Sequence, residues 1–503
     1  MKDMNQKLSI DFGLFVGLVV LLTASTMNGL TSEVRAGALS MTIRPDQVVL
    51  VLLLPLLAVA FVQRRLRWHR TSLDVPVLGL FLANAFASVV FSPLKGMSLQ
   101  GVLLMGVYVA MYFVTVNLSL QYPRWSTRLM RIFVGIGIVH AAYGLLALLA
   151  YSQGRSIGGI TVGQVMPGSV SVRGAFVEPN LLGIYLSIIG LFPSVYLLFG
   201  NKAKNRCLAF ASLILVGLTL ILTLTRSAWV AFVTAVSFLV PLLLMKVKSL
   251  SSAAARLAPL VLAAVLVLAV SIYALDPLLS RLWKQESVLT SRLGSLLMLS
   301  EGRSTVDTGV HVVRTGGQAG EQPSQTAPSV EEVGQQGAQA APTAPQAIPT
   351  AEQAVPTPTP SAQQNAPVVV GSLRSAMGRL QVYEWGIAES LNRPIFGHGT
   401  FAGEVIGNRY WMSSLIQALY DTGIVGALFL LWMHGATIIS AWLAYRRATA
   451  LFYRNSLLAL ALGNAVLLLT SQFSSFLWVG FPWVFMGLTM GLVQASDRQS
   501  SPE

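Results

Sequence analysis

Three short stretches hold most of the residues in this chain that could do chemistry: "RGAFVEPN" at 173–180, "LTLTRSAWVAF" at 222–232, and "GRLQVYEWGIAESLNRPIFGHGTF" at 378–401. In the first, Pro179 suits the opening turn of a helix, so a helix begins within a residue or two of Glu178 with free N–H groups at its mouth. Such an end attracts anions. Arg173 adds a planar fork of donors that fits phosphate oxygens, and Asn180 can donate from the first turn. The same residues also make an ordinary cap, with Arg173 paired to Glu178 or to a lipid headgroup. In the second stretch Arg226 stands between two apolar runs, with Thr225 or Ser227 able to cap the helix that follows. An arginine at the edge of hydrocarbon needs a partner, or must reach the interface. In the third, Arg379, Tyr383, Glu384 and Trp385 precede a glycine-flanked loop that holds His398, which alone reads as a surface helix and a turn.

The elements that position these residues follow from composition. Of 503 residues 54% are hydrophobic and 11% charged, with a mean hydropathy of +0.65, far from a soluble globular chain. Apolar runs of about 20 residues, enough to cross a bilayer core of roughly 30 Å, recur along most of the sequence. The expected fold is an all-α polytopic membrane protein with about twelve transmembrane helices, near 10–30, 47–63, 73–92, 99–118, 132–151, 180–199, 207–224, 228–245, 256–275, 420–444, 456–475 and 476–494. The N-terminal run lacks a small-residue cleavage pattern and reads as a retained first span.

Loops rich in Lys and Arg stay in the cytoplasm. Clusters such as Arg64–Arg70, Arg124–Arg131, Lys202–Arg206 and Arg446–Arg454 then fall inside together with both termini, and the three stretches above fall outside. The net charge of +14 is on this reading topological and calls for anionic lipid headgroups, not nucleic acid. Three regions result: an N-terminal membrane domain of about nine spans (1–275), an extracytoplasmic loop between the ninth and tenth spans (276–410), and a C-terminal membrane segment of about three spans (411–503). Within the loop, 278–297 has the spacing of a helix lying on the membrane surface, and 372–392 reads as a helix stopped by Pro394. The Pro/Gln/Ala-rich insert at 301–370 has too little apolar surface to order itself.

The other outliers read as structural. Cys207 is the single cysteine and has no intramolecular partner. No Cys/His spacing suggests zinc and no aspartate pair suggests a divalent ion, so neither metal nor cofactor is expected. His140 and His434, on apolar helices, read as satisfied core histidines. Trp411, Trp478 and Trp483 suit an interfacial aromatic belt, although Tyr410 and Trp411 could also stack on a sugar ring.

The order of "TIRPDQVVL" after the first span, "RGAFVEPNLLG" at one helix mouth, "LTRSAWVAF" at another, "GRLQVYEWG…NRPIFGHG" in a large loop, and then "LIQALYDTGIVGALFLL" resembles the O-antigen ligase/polymerase superfamily of bacterial envelope glycan enzymes. The resemblance spans nearly the whole chain except the 301–370 insert. It implies glycosyl transfer on the outer face of the cytoplasmic membrane, from an undecaprenyl-diphosphate-linked glycan donor to a hydroxyl on a glycan, glycolipid or protein acceptor. It further implies that Arg226 and Arg379, which match the arginines of the family's "TRSA" and "GR…W" motifs, hold the donor diphosphate. The family's ligases carry a histidine about eleven residues before the "GxxG" pair, here Gly423 and Gly426. The matching position in this chain is Met412. That departure favours a polymerase or a divergent ligase, and leaves the base unassigned.

A sugar diphosphate leaving group is already ionised, so it needs charge neutralisation rather than a proton. Arg173, Arg226, Arg379 and Asn180 could provide this without metal, in an inverting displacement. Glu178, His398, Glu384 and Asp421 are the candidate bases for the acceptor hydroxyl, Glu178 first and His398 second. Tyr410, Trp411, Asp421 and Glu384 are candidate acceptor contacts. The rival from another class is a transporter or flippase of a lipid-linked glycan. It fits less well because ion-coupled carriers generally need ionisable groups inside the membrane, and here only Asp421 lies clearly within a span. A scaffold that recruits other envelope polysaccharide assembly proteins through the insert would leave the arginine-bearing helix mouths unexplained.

Overall fold

The computed structural model describes residues 2–36, 39–64, 66, 68–162, 170–247, 249–283, 289, 368–403 and 413–500. It is an almost entirely helical, multi-pass membrane protein: among the described residues, nine helices are long and apolar enough to cross a bilayer. In chain order the helices are α1 (Lys2–Ser25), α2 (Pro45–Val62), α3 (Asp74–Val90), α4 (Lys95–Gln121), α5 (Pro123–Ser152), α6 (Pro179–Phe199), α7 (Ala203–Leu222), α8 (Arg226–Ser237), α9 (Leu239–Leu244), α10 (Leu250–Val270), α11 (Asp276–Trp283), α12 (Val368–Ser390), α13 (Ser414–Arg447), α14 (Leu451–Thr470) and α15 (Gly480–Ser500). The apolar parts of α1 and α3 are shorter than the nine.

Packing is built around α6, whose 94% burial makes it the central helix. Its sequence explains this, since "NLLGIYLSIIGLF" is apolar on every face and interrupted only by glycine, serine and tyrosine. The tightest helix contact elsewhere comes from small residues. Cβ atoms added at Gly487 and Gly491 of α15 would lie 2.9 and 2.4 Å from the Cβ atoms of Thr115 and Ser119 on α4, a small-xxx-small seam of the kind that lets membrane helices approach closely.

Side-chain contacts sort the helix ends into two groups. At one end the Asn28 amide oxygen accepts from the Val177 N–H at 3.0 Å, and Thr400 meets Ser88 from the end of α3 and Ser98 from the start of α4. There too Arg44, before α2, donates to the Trp478 carbonyl between α14 and α15. At the opposite, basic end Arg498 donates to the Leu120 carbonyl at 3.0 Å, Arg256 to the Leu198 carbonyl at 3.1 Å, and Thr127 meets Tyr453 at 3.3 Å.

The structure departs from the sequence reading in three places. The ninth span does not stop at 275: α10 continues through a wider turn at Ser271–Leu275 into α11, and of the surface helix expected at 278–297 the residues after 283 other than 289 lie outside the described residues. Asp276 is buried there, and its Oδ1 accepts the Leu289 N–H at 2.6 Å. Two short antiparallel hairpins also interrupt the all-helical pattern, β1 (Ser32–Ala36) with β2 (Leu39–Ile43) and β3 (Ile160–Val162) with β4 (Val170–Val172). Trp483 is not a belt residue, being 1% exposed with its indole N–H donated to the Leu477 carbonyl at 3.1 Å. Residues 301–367 of the insert, Tyr410, Trp411 and Met412 lie outside the described residues, while 368–370, which the sequence reading places in the insert, belong to the first turn of α12.

Candidate functional site

The mouths of α6 and α8 meet. Gly183 permits this, because a Cβ there would sit 3.0 Å from the Thr223 hydroxyl and 3.2 Å from the Ala228 Cβ. The Ser187 hydroxyl adds a hydrogen bond to the Ala228 carbonyl at 3.0 Å. Between α7 and α8 the chain turns within three residues, with Leu224 in the left-handed region at φ 56°. For a branched residue that conformation costs roughly 1–2 kcal/mol. The turn is braced by the Trp229 indole N–H, which donates to the Leu220 carbonyl at 2.9 Å. Backbone strain of this kind concentrates at functional sites, and here it delivers Arg226 to the first residue of α8.

Thr225 is the residue that caps α8, yet its hydroxyl does not accept from the helix. It donates instead to the Asn180 amide oxygen at 3.1 Å. The Asn180 oxygen thus locks the two mouths together, and its amide NH2 remains as the donor that the sequence suggests. Glu178 stands at the cap of α6 in extended conformation, and likewise gives that helix no side-chain cap. Glu178, Asn180, Thr225 and Arg226 therefore share one corner.

Arg379 reaches the same corner from far along the chain. It lies on α12, which the sequence places at 372–392 and which starts four residues earlier at Val368, and α12 packs along α13. One turn on, the Tyr383 hydroxyl donates to the Gln472 carbonyl in the loop after α14, and α14 in turn packs against α8. The Arg379 and Arg226 guanidinium groups come close enough to repel one another, and Arg226 is half-buried. Burial pushes the Tyr383 phenol above its ordinary value, while Arg379 pulls it down. The phenol stays protonated and keeps its carbonyl acceptor. Gln472 was not singled out in the sequence, and no local signal marks it, since its role is to offer a backbone oxygen.

Arg173 is differently placed. It opens a turn in which the Phe176 N–H donates to the Arg173 carbonyl at 3.0 Å, with Gly174 at φ +58°. Its Nη1 faces the Phe176 carbonyl at 3.5 Å, and its Nε is buried without a hydrogen-bond partner among the described residues. Its guanidinium is folded onto its own turn.

His398 sits in a loop that fills a break in α13. At Gly423 the helix leaves its path (φ 66°, ψ −167°), and the loop 393–399 fills the gap. The Ile424 N–H donates to the Pro394 carbonyl at 2.8 Å, the His398 N–H to the Tyr420 carbonyl at 2.9 Å, and the Gly399 N–H to the Asp421 carbonyl at 2.9 Å. The imidazole stacks on Tyr420 at 4.5 Å, and Tyr420 on Trp385 at 5.5 Å. Burial lowers the His398 pKa from its ordinary value and nearby Arg393 lowers it further, while its contact with the Tyr420 carbonyl and the charge of Glu389 raise it. Glu389 lies about 15 Å beyond Arg379 along α12 at the helical rise per residue. Of the other acceptor candidates, Glu384 is exposed on α12 and Asp421 is buried beside the break.

Arg44, in the "TIRPDQVVL" stretch, is already engaged: its Nη1 donates to the Tyr108 hydroxyl at 2.9 Å and to the Trp478 carbonyl. His140 bonds Thr26 at 2.9 Å, as a core histidine should. His434 differs: it is fully buried, with neither ring nitrogen hydrogen-bonded among the described residues. Among the described residues no three His, Cys, Asp or Glu side chains gather to hold a metal ion.

No protein-family model matches the chain, and no curated protein matches it. What the corner can do follows from its own geometry. Two like charges in a partly desolvated site repel, and an anion bound between them relieves the cost. The donors of two guanidinium groups suit phosphate oxygens, and the adjacent helix N-termini favour the same charge.

Proposed function

We propose that this protein is a membrane glycosyltransferase of the O-antigen ligase and polymerase type. On this reading it has twelve spans, both termini in the cytoplasm, and its site on the outer face of the bacterial cytoplasmic membrane. There it moves an oligosaccharide from undecaprenyl diphosphate to a sugar hydroxyl, and so lengthens a surface polysaccharide. The observation that carries the reading is the approach of Arg226 to Arg379, two residues the fold brings together from either side of the long insert.

The acceptor oxygen attacks the anomeric carbon from the face opposite the diphosphate and passes its proton to a carboxylate. Glu178 takes that role, because it shares the corner of Arg226 through the Asn180–Thr225 hydrogen bond. The bond from carbon to diphosphate oxygen breaks with its electron pair going to the phosphate, and the two guanidinium groups hold the growing charge. The products are undecaprenyl diphosphate and an inverted, longer glycan.

The test is to incubate the purified protein in lipid with an undecaprenyl-diphosphate oligosaccharide alone, and to follow glycan length and release of the lipid diphosphate. Lengthening that Arg226→Ala and Arg379→Ala abolish is the expected result. Activity only with an added acceptor would make the protein a ligase. Movement of the intact donor across the bilayer, with no bond broken, would replace transfer by transport.

A further inference from the structure

A cavity of about 610 Å³ opens among α5, α6, α7 and α14 at the basic end, away from the arginine corner. Its volume falls within the roughly 300–1,000 Å³ of ordinary ligand pockets. The walls are apolar, with Ile138, Phe192, Pro193, Leu208 and Phe452 among them, and the mouth carries Arg131 and Lys202. Leu208 is 69% exposed, so the cavity opens onto the lipid-facing surface of the bundle.

The mouth is arranged for an anion. The Arg131 guanidinium lies 5.0 Å over the Phe452 ring, which fixes its direction. Lys202 is the residue preceding α7, and no side chain caps that helix, so its first N–H groups and its dipole favour negative charge at the same place. Asn201 and Asn205 add exposed amides at the rim. The trough is open at Gly135, where an added Cβ would meet nothing within 4 Å.

We propose that this cavity is a binding site for an anionic glycerophospholipid of the surrounding bilayer, with an acyl chain in the trough and the phosphate between Arg131, Lys202 and the start of α7. Cations matched to a phosphate and apolar walls matched to a chain occur together here, and a soluble anion would use only the first. The site stands apart from the glycosyl-transfer reading.

Native mass spectrometry of the full chain released from detergent, titrated with dioleoylphosphatidylglycerol or dioleoylphosphatidylcholine, tests the assignment. The expected result is a retained phosphatidylglycerol adduct that phosphatidylcholine does not match. Removing the cations in Arg131→Gln/Lys202→Gln should weaken it about fivefold per charge, and Gly135→Phe, which fills the trough, should abolish it. Fluorescence unfolding checks that each variant folds. Equal binding of the two lipids, or adducts unchanged in Gly135→Phe, would overturn the proposal. Displacement of the lipid by inorganic phosphate would overturn it as well, making the mouth a site for a free anion.

Discussion

Both ends of this bundle set cations beside helix N-termini, and the two ends use them differently. At the basic end Arg124, Arg131, Lys202, Lys204 and Arg446 are exposed and spread over several helices, as charge that orients a membrane protein should be. At the other end Arg226 and Arg379 are drawn together and half-buried, under a helix that arrives from far along the chain. A cation near a helix mouth is therefore not by itself a sign of chemistry. Two half-buried cations brought near one another by the fold are the feature on which the proposed reading rests.

The comparison can be broken most severely at the arginine corner. Arg226→Ala and Arg379→Ala should each lower glycosyl transfer about 10²–10³-fold, the usual loss when one donor to developing charge is removed, with unfolding unchanged. Arg131→Gln at the basic end should leave transfer intact. A comparable loss there would erase the distinction. Steady-state rates with a labelled donor measure both.

The next effect falls on the frame that holds α12 against α13. A Cβ at Gly423 would lie 2.2 Å from the Ile395 carbonyl oxygen, and the backbone there is left-handed. Gly423→Ala should cost about 1–3 kcal/mol from strain of this kind, read in thermal unfolding, and should detach the 393–399 loop. Gly435→Ala, where added volume meets nothing within 4 Å, should be silent.

Smaller still is Thr225→Val, which removes one buried hydrogen bond worth about 1 kcal/mol and loosens the link between the two mouths. It should weaken donor binding more than it slows the chemical step, seen as a higher KM with kcat nearly kept.

The smallest expected effect is on pH dependence. Burial holds the His398 pKa below its ordinary value, so the unfolded chain takes up this proton first as the solution is acidified. The stability from this group is complete above about pH 6.5, the usual histidine value, and is lost as the pH falls through the lower folded value. His398→Gln should flatten that limb of a stability-versus-pH curve.

Much of the scaffold was legible. Long apolar runs give the spans, Pro179 gives the start of α6, and Pro394 marks the limit of α12, because each rests on local chemistry. The approach of Arg226 and Arg379 is expected from the family resemblance alone and not from either neighbourhood, since it depends on how α12 packs along α13. The hold that the Thr225 hydroxyl takes on the Asn180 amide oxygen was not legible, because nothing local shows that the two helix mouths meet. Trp483 reads as interfacial because sequence gives its depth, while the face it presents is decided by its neighbours. The break at Gly423 hides inside an apolar run whose pattern is that of an unbroken helix, and only the loop that pairs with it makes it visible.

The central claim is that Arg226 and Arg379 grip one anion. It is tested most directly by a double-mutant cycle on the binding of undecaprenyl diphosphate to the wild type, Arg226→Ala, Arg379→Ala and the double variant. Residues that share a ligand couple, so the two losses should fail to add by more than about 0.5 kcal/mol. Losses that add within that margin, or binding that neither substitution weakens, would contradict the account.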